Sequence, residues 1–195
     1  MSFTANTAFE ARITNGVYDA LANVAGKYQV SSTDTDCDAG QLVKRSALIK
    51  VEGIPSASNV YNENTWVMVN AINTDTVGEV IYACDTYDNQ LIGNGSNNYF
   101  VGLRTLGLGV PAGRYGNFRR IDFDGQSVYR FGAGNVTINT SGDTYFTIAN
   151  GKLSSVTAKP STSGTLYFEL RGSGYFTEGT SQSFGYYDVV GHVAP

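Results

Sequence analysis

Short runs of hydrophobic residues alternate with polar ones over most of the chain after residue 64. Leu166, Phe168 and Leu170 alternate with more polar neighbours, as in a strand that buries one face. The segment 65–71 is apolar on both faces, which indicates a strand between two layers. The close spacing of such runs predicts an all-β chain over residues 64–192, folded as an antiparallel β-sandwich or barrel-like body.

Two pairs of turn-forming residues separate neighbouring hydrophobic runs. Asp124-Gly125 and Asn150-Gly151 each fit the type I′ turn, in which both central residues have positive φ. Each pair therefore predicts a β-hairpin between the runs on its two sides. The glycines within 172–174 predict a further turn that leads into the segment 174–177, and residues 184–190 form a final apolar run.

The first 60 residues carry a weaker pattern. Apolar positions within 17–24 have helical spacing and predict a short helix, with an extended arm as the alternative. Residues 42–43 and 47–51 predict two short strands joined by a polar connection. We therefore expect an N-terminal arm or short helix and the first strands over residues 1–60, followed by an antiparallel β domain over residues 61–195.

Composition narrows the functional class. Charged residues make up 15% of the chain and apolar residues 42%, which excludes intrinsic disorder. No run approaches the ~18–20 apolar residues of a membrane span, and the first residues do not form a signal peptide. These features predict a chain synthesised in a reducing cytoplasm, without a membrane partner.

Histidine and cysteine are rare. The one histidine, His192, excludes sites that need two histidines from one chain, and the chain has no G-x-S-x-G motif to accompany it in a catalytic triad. We expect His192 to lie in solvent. Cys84 ends an apolar run and is predicted to be buried, whereas Cys37 lies in an acidic loop and is predicted to be exposed. A disulfide between the two cysteines stays open.

An acidic segment resembles the start of a calcium loop. Asp34, Asp36 and Asp38 alternate as the first ligands of such a loop do. However, Ala39 stands where the loop needs glycine, and Arg45 where it needs glutamate. A solvated acidic turn is the preferred interpretation, and a weak divalent-cation site is the alternative.

Two other motifs fail as catalytic or cofactor sites. Asp122 and Asp124 flank Phe123, but Asp124 belongs to a predicted turn, which argues against a glycosidase pair. The glycines of 107–113 lack the spacing and the following helix of a nucleotide-binding loop. We therefore expect no enzyme activity and no cofactor.

Arginine and tyrosine are the remaining candidates for binding. Five arginines fall within 27 residues: Arg104, Arg114, Arg119, Arg120 and Arg130. Because the net charge is −4, this patch favours an acidic protein surface over nucleic acid. The chain also has 13 tyrosines, including Tyr186-Tyr187; packing in a β core with the hydroxyls at its rim is the preferred interpretation, and protein interfaces or sugar-binding platforms are the alternatives.

Five segments carry a family resemblance: 39–43, 82–88, 105–113, 118–125 and 185–189. Together with the size and layout of the chain, they resemble small head proteins of tailed bacteriophages. The resemblance is to capsid decoration, or cement, proteins, which bind the outside of an assembled shell.

The resemblance implies a non-enzymatic structural protein on the virion surface, made in the bacterial cytoplasm. Its partner would be the major capsid protein, and a homo-oligomer such as a trimer is compatible with it. Two alternatives stay open, a receptor-binding or fibre-tip domain that recognises host glycans and a tail or neck component.

Overall fold

The structure, a computed structural model, describes residues 7, 9–13, 23–28, 36–50, 61–85, 109–178 and 182–195. This part of the chain is all-β, as predicted, with a single short 3₁₀ helix (Ala133–Asn135). The strands are β1 (Phe9–Ile13), β2 (Asn23–Tyr28), β3 (Cys37–Asp38), β4 (Leu42–Lys50), β5 (Tyr61–Asn70), β6 (Ile81–Cys84), β7 (Gly109–Val110), β8 (Tyr115–Arg120), β9 (Val128–Gly132), β10 (Val136–Thr137), β11 (Tyr145–Ala149), β12 (Lys152–Val156), β13 (Leu166–Glu178) and β14 (Gln182–Val193).

The strands form two main bodies. Seven strands make one sheet in the order β1-β9-β14-β13-β11-β12-β10, and β2-β5-β4-β6-β8 close into a small barrel. Neighbouring strands run antiparallel except for the pairs β2–β5 and β10–β12. Strands β3 and β7 pair with each other beside the barrel. Strands from the first 60 residues enter both bodies, since β1 pairs with β9 while β2 and β4 belong to the barrel.

The described residues form two hydrophobic cores. The larger one contains Tyr129, Phe131, Phe146, Phe168 and Val189 of the seven-stranded sheet together with Leu42, Ile81 and Ala83 of the barrel strands β4 and β6, and Leu170 packs against it. Leu166 and Phe168 point into this core, which confirms the alternation predicted for their strand. The barrel is filled by a separate set of side chains: Tyr28, Cys37, Val43, Met68, Tyr82, Cys84, Val110 and Phe118.

The turn between β11 and β12 joins the two bodies. Asn150 and Gly151 both have positive φ, 46° and 79°, so the predicted type I′ hairpin is confirmed. The Gly151 N–H donates to Ala71 O at 2.9 Å, and the Leu42 N–H donates to Gly151 O at 2.7 Å. A Cβ at Gly151 would lie 2.9 Å from Gln41 Cγ, so glycine is needed for both its φ and this close approach.

A buried polar network strengthens the same junction. Gln41 Nε2 donates to Tyr28 Oη at 3.0 Å, and the Tyr28 hydroxyl donates to Asn70 Oδ1 at 2.8 Å. Asn70 Nδ2 then donates to Asn150 Oδ1 in the hairpin turn at 3.0 Å. Burial raises the pKa of Tyr28, which keeps its hydroxyl protonated as a donor.

The second predicted hairpin is wrong. The strands on the two sides of Asp124-Gly125 do not pair, because β8 lies in the barrel and β9 in the seven-stranded sheet. Gly125 has a φ of 73°, but Asp124 does not have positive φ. Instead, the Asp124 carboxylate accepts N–H groups of Gln126 and Ser127 at 2.9 and 2.8 Å. These bonds shape a crossover between the two bodies.

Three further predictions concern strand boundaries. The predicted turn at 172–174 is wrong, because these residues lie inside the continuous strand β13. The two strands predicted within 42–51 are one strand, β4, with a register shift between Arg45 and Ala47. Most of the predicted helix at 17–24 lies outside the described residues, and its last two residues belong to β2.

Candidate functional site

The structure divides the predicted arginine patch between the two bodies. Arg119 and Arg120 lie on β8 of the barrel, and Arg114 immediately precedes that strand. Arg130 lies on β9 of the seven-stranded sheet. Arg104 is outside the described residues. Three of the five arginines therefore lie on or next to one strand, with Arg114 at its start and Arg119 and Arg120 at its end.

Arg130 has an internal role. Its Nε and Nη2 bind the two carboxylate oxygens of Asp188, each at 2.7 Å, and its side chain is 10% exposed. The guanidinium carbon also lies 3.7 Å from the ring centre of Tyr186. The hydrogen bonds to Asp188 raise the pKa of Arg130. These contacts hold β9 against β14.

The barrel carries one more arginine, Arg45, which the sequence analysis did not name as a binding residue. Arg45 is exposed, and its guanidinium carbon lies 4.9 Å from the ring centre of Trp66 and 5.1 Å from that of Tyr82. Tyr82 is opposite Arg120 in the β6–β8 register. We call Arg45, Trp66, Tyr82 and Arg120 the barrel arginine cluster. The sequence signal for Arg45 is the polar stretch around it, which predicts a connection between two short strands.

Within the barrel arginine cluster, the pKa of Tyr82 is shifted by burial and by two nearby cations. Burial raises the pKa of the Tyr82 hydroxyl, while Arg45 and Arg120 both act in the opposite direction. Arg120 Nε donates to Asp122 Oδ1 at 2.9 Å and its side chain stays 42% exposed. Arg119 Nε is buried and has no hydrogen-bond partner among the described residues. The cluster thus presents guanidinium groups beside aromatic rings, a combination enriched at energetically important interface positions.

The prediction of a solvent-exposed His192 is wrong. Its ring stacks on Tyr167 with centroids 5.2 Å apart and an interplanar angle of 17°. His192 Nε2 lies 3.3 Å from Glu169 Oε2, and the histidine side chain is 22% exposed. The residue belongs to the long strand β14, so pairing with β13 covers it.

The prediction for Cys37 is also wrong, while that for Cys84 is confirmed. Both thiols are free, and both residues have no exposed surface. Cys37 is covered because β3 pairs with β7 against the barrel core. The Cys37 thiol donates to Asp38 O at 3.8 Å, and burial raises the pKa of Cys37.

The acidic residues of the predicted cation site make other contacts or are buried. Asp36 Oδ1 accepts the Ala112 N–H at 3.1 Å, and Asp38 is 6% exposed. Asp34 lies outside the described residues. Over the described ranges, no group of three or more metal-ligating side chains comes together.

Tyrosines form a second candidate site on the seven-stranded sheet. A groove of about 230 Å³ lies where the β13–β14 hairpin extends beyond the core, and its lining comprises Ala133, Ser173, Gly174, Tyr175, Gly185, Tyr186 and Tyr187. Tyr175 is 76% exposed. We call this feature the tyrosine groove.

Glycines give the tyrosine groove its shape. Gly174 lies opposite Tyr186 and Gly185 lies opposite Tyr175 in the β13–β14 register. A Cβ at Gly174 would meet the Tyr186 hydroxyl at 2.6 Å, and one at Gly185 would lie 3.5 Å from the Tyr175 ring. Gly174 therefore leaves room for the Tyr186 ring, whereas a Cβ at Gly185 would make ordinary contact with Tyr175.

In the described part of the chain, no helix is long and apolar enough to cross a membrane. Comparison with known proteins gives no match to a family model, a curated protein or a solved structure.

Proposed function

We propose that this chain is a non-enzymatic structural protein that binds the outer surface of a tailed-bacteriophage capsid and stabilises the shell. The resemblance stated above supplies the identity of the partner, the major capsid protein. The observation that supports binding is the barrel arginine cluster, with Arg45 exposed beside Trp66 and Tyr82.

Charge supports an acidic protein partner. The chain as a whole is negative, so the guanidinium groups of the cluster are a local exception to the net charge of −4. Arginine binds carboxylates through two parallel hydrogen bonds and also stacks on aromatic rings. A shell that binds many copies only in its assembled form gains stability by mass action.

Co-sedimentation of the purified protein with shells of the encoding phage tests this proposal. We expect wild-type protein to pellet with the shells and Arg45→Glu to bind about tenfold more weakly, because it opposes acidic groups of the partner. Lys159→Glu is the matched control, since Lys159 is an exposed cation on the other body. Equal binding of wild type and Arg45→Glu would remove the cluster from the interface, and no binding of wild type would contradict the proposal.

The tyrosine groove favours a second candidate function, recognition of a host glycan. An exposed ring with hydroxyls beside it can stack on a sugar face and bond its hydroxyl groups. Titration with a panel of bacterial surface glycans, followed by NMR, tests it. Shifts confined to Ser173, Tyr175 and Gly185 would favour this function, and a silent panel would leave shell binding as the better account.

A further inference from the structure

The outer edge of β13 has no pairing strand among the described residues over half of its length. Strand β11 pairs with β13 only at Glu169 and Phe168, and its last bond is from the Leu170 N–H to Thr144 O at 2.7 Å. On its other side, β13 stays paired with β14 as far as Glu178. Among the described residues, no strand covers the outer edge from Gly172 to Glu178.

This edge lacks the usual protection against pairing. Natural edge strands carry lysine, proline, bulges or inward charges that block another strand. The segment 172–178 contains no lysine or proline, and its register with β14 is regular after the shift at Leu170–Gly172. A Cβ at Gly172 would meet no atom within 4 Å, so the backbone there is open.

The exposed tyrosine on this edge leaves the backbone accessible. The Tyr175 ring leans over Gly185 on β14, away from the unpaired side. Alternate residues of a strand direct their N–H and C=O groups to opposite sides, so the edge offers regularly spaced donors and acceptors. An added antiparallel strand would satisfy them.

We propose that the edge of β13 pairs with the same edge of a second copy, so that two chains form one continuous sheet. A strand is always complementary to itself about a two-fold axis in antiparallel pairing. Residues that lie opposite each other in an antiparallel pair point to the same face of the sheet. The two-fold axis therefore passes between two copies of the same residue. Tyr175 is that residue if the whole segment 172–178 pairs, because it is the midpoint. This inference rests on the hairpin and is independent of the barrel arginine cluster.

Charge is complementary in this arrangement. With the axis at Tyr175, position 178, a glutamate, lies opposite Gly172 of the second copy and one position from its Arg171. Arg171 is 48% exposed on its side chain and lies 3.5 Å from Glu169 in its own chain. The register therefore brings Arg171 of each copy next to position 178 of the other copy in the paired strands.

Sedimentation velocity over a range of protein concentrations tests the dimer. We expect wild type to dimerise and Tyr175→Lys to weaken the dimer by about tenfold or more, because two like charges would meet at the axis. Tyr115→Lys is the matched control, since Tyr115 is 58% exposed on a strand of the barrel. A monomeric wild type, or an unchanged dimer for Tyr175→Lys, would overturn the proposal.

A second variant tests the position of the axis. Opposed residues in a hydrogen-bonded antiparallel pair have Cα atoms ~5.5 Å apart, which suits a disulfide. Tyr175→Cys, oxidised with glutathione disulfide, should form a cross-linked dimer while two glutathione thiols are released. Tyr115→Cys should stay uncross-linked. No cross-link at position 175 in a protein that sediments as a dimer would contradict pairing about Tyr175.

Discussion

Arg130 and Asp188 form a two-bond ion pair across β9 and β14, with both donor–acceptor distances at 2.7 Å. The two residues are directly opposite in the register of these strands. Tyr186, two positions from Asp188, covers the guanidinium group from one face. One arginine of the predicted binding patch therefore stabilises the sheet.

Replacing Asp188 with asparagine should destabilise the fold. The change removes the carboxylate charge and at least one of the two hydrogen bonds that Arg130 donates, at a site where its side chain is 10% exposed, so we expect a loss of about 3 kcal/mol in unfolding free energy. Urea denaturation measures it. Glu79→Gln is the control, because Glu79 is 47% exposed and its pair with Lys44 should contribute at most about 1 kcal/mol. Equal effects of the two changes would contradict this account of Arg130.

The hairpin turn that joins the two bodies gives a second prediction. Gly151→Ala should destabilise the protein by about 2–3 kcal/mol, since alanine is strained at a φ of 79° and its Cβ would meet Gln41. Gly142→Ala separates the two effects, because Gly142 has a φ of 92° but open space around it. Denaturation of both variants should show a loss of about 1 kcal/mol for Gly142→Ala. A loss for Gly151→Ala no larger than this would mean that a Cβ at position 151 does not clash with Gln41.

The titration of His192 gives a prediction on pH. Burial holds its pKa below the usual 6.5, and the nearby cations Arg171 and Lys159 act in the same direction, against Glu169 and Asp124. The folded state thus binds the proton less well than the unfolded state. Its contribution to stability is present above pH 6.5 and is lost as the pH falls from 6.5 through the folded pKa.

One NMR titration checks this, because the chain has one histidine and its ring protons give one curve. We expect a midpoint below 6.5 in the folded protein. His192→Gln should remove this part of the pH dependence of stability. A midpoint at or above the usual value would show that Glu169 outweighs burial.

Because both cysteines are buried, we expect their thiols not to react with a thiol reagent in the folded protein. Cys37 and Cys84 have no exposed surface, and burial raises the pKa of Cys37, which suppresses the reactive thiolate. An aromatic disulfide reagent should react with no thiol in native protein and with both in denaturant. Rapid reaction of a native thiol would contradict the placement of β3 against the barrel.

Local signals predicted local structure well. Asn150-Gly151 forms the predicted hairpin, and the alternation around Phe168 places its strand correctly. Each of these depends on residues that are neighbours in the chain. The positive φ of the turn and the period of the strand can be read from a few positions.

The predictions from the sequence were wrong where the structure depends on pairing between strands that are far apart in the chain. Asp124-Gly125 carries the same local signal, but the strands beside it pair with partners elsewhere. Gly174 was predicted to lie in a turn, but it lies within a strand, where the ring of Tyr186 occupies the space beside it. Cys37 lies in an acidic segment and is buried only because β7 covers it.

For the same reason, the residues of the barrel arginine cluster, the proposed binding surface, could be anticipated only in part from the sequence. Arg119 and Arg120 belong to one strand, so their proximity follows from the sequence. Arg45 meets Tyr82 because β4 and β6 are neighbours in the barrel, which no spacing along the chain shows. Strand order therefore determines which arginines share a surface.

The central proposal is tested most directly by the copy number of this chain in virus particles purified from its source. Quantitative mass spectrometry of this chain and of the shell subunit would measure it. A capsid-binding structural protein should be present in numbers comparable with the shell subunit. A handful of copies per particle would indicate a tail or fibre component, and absence from particles would contradict a structural role in the virion.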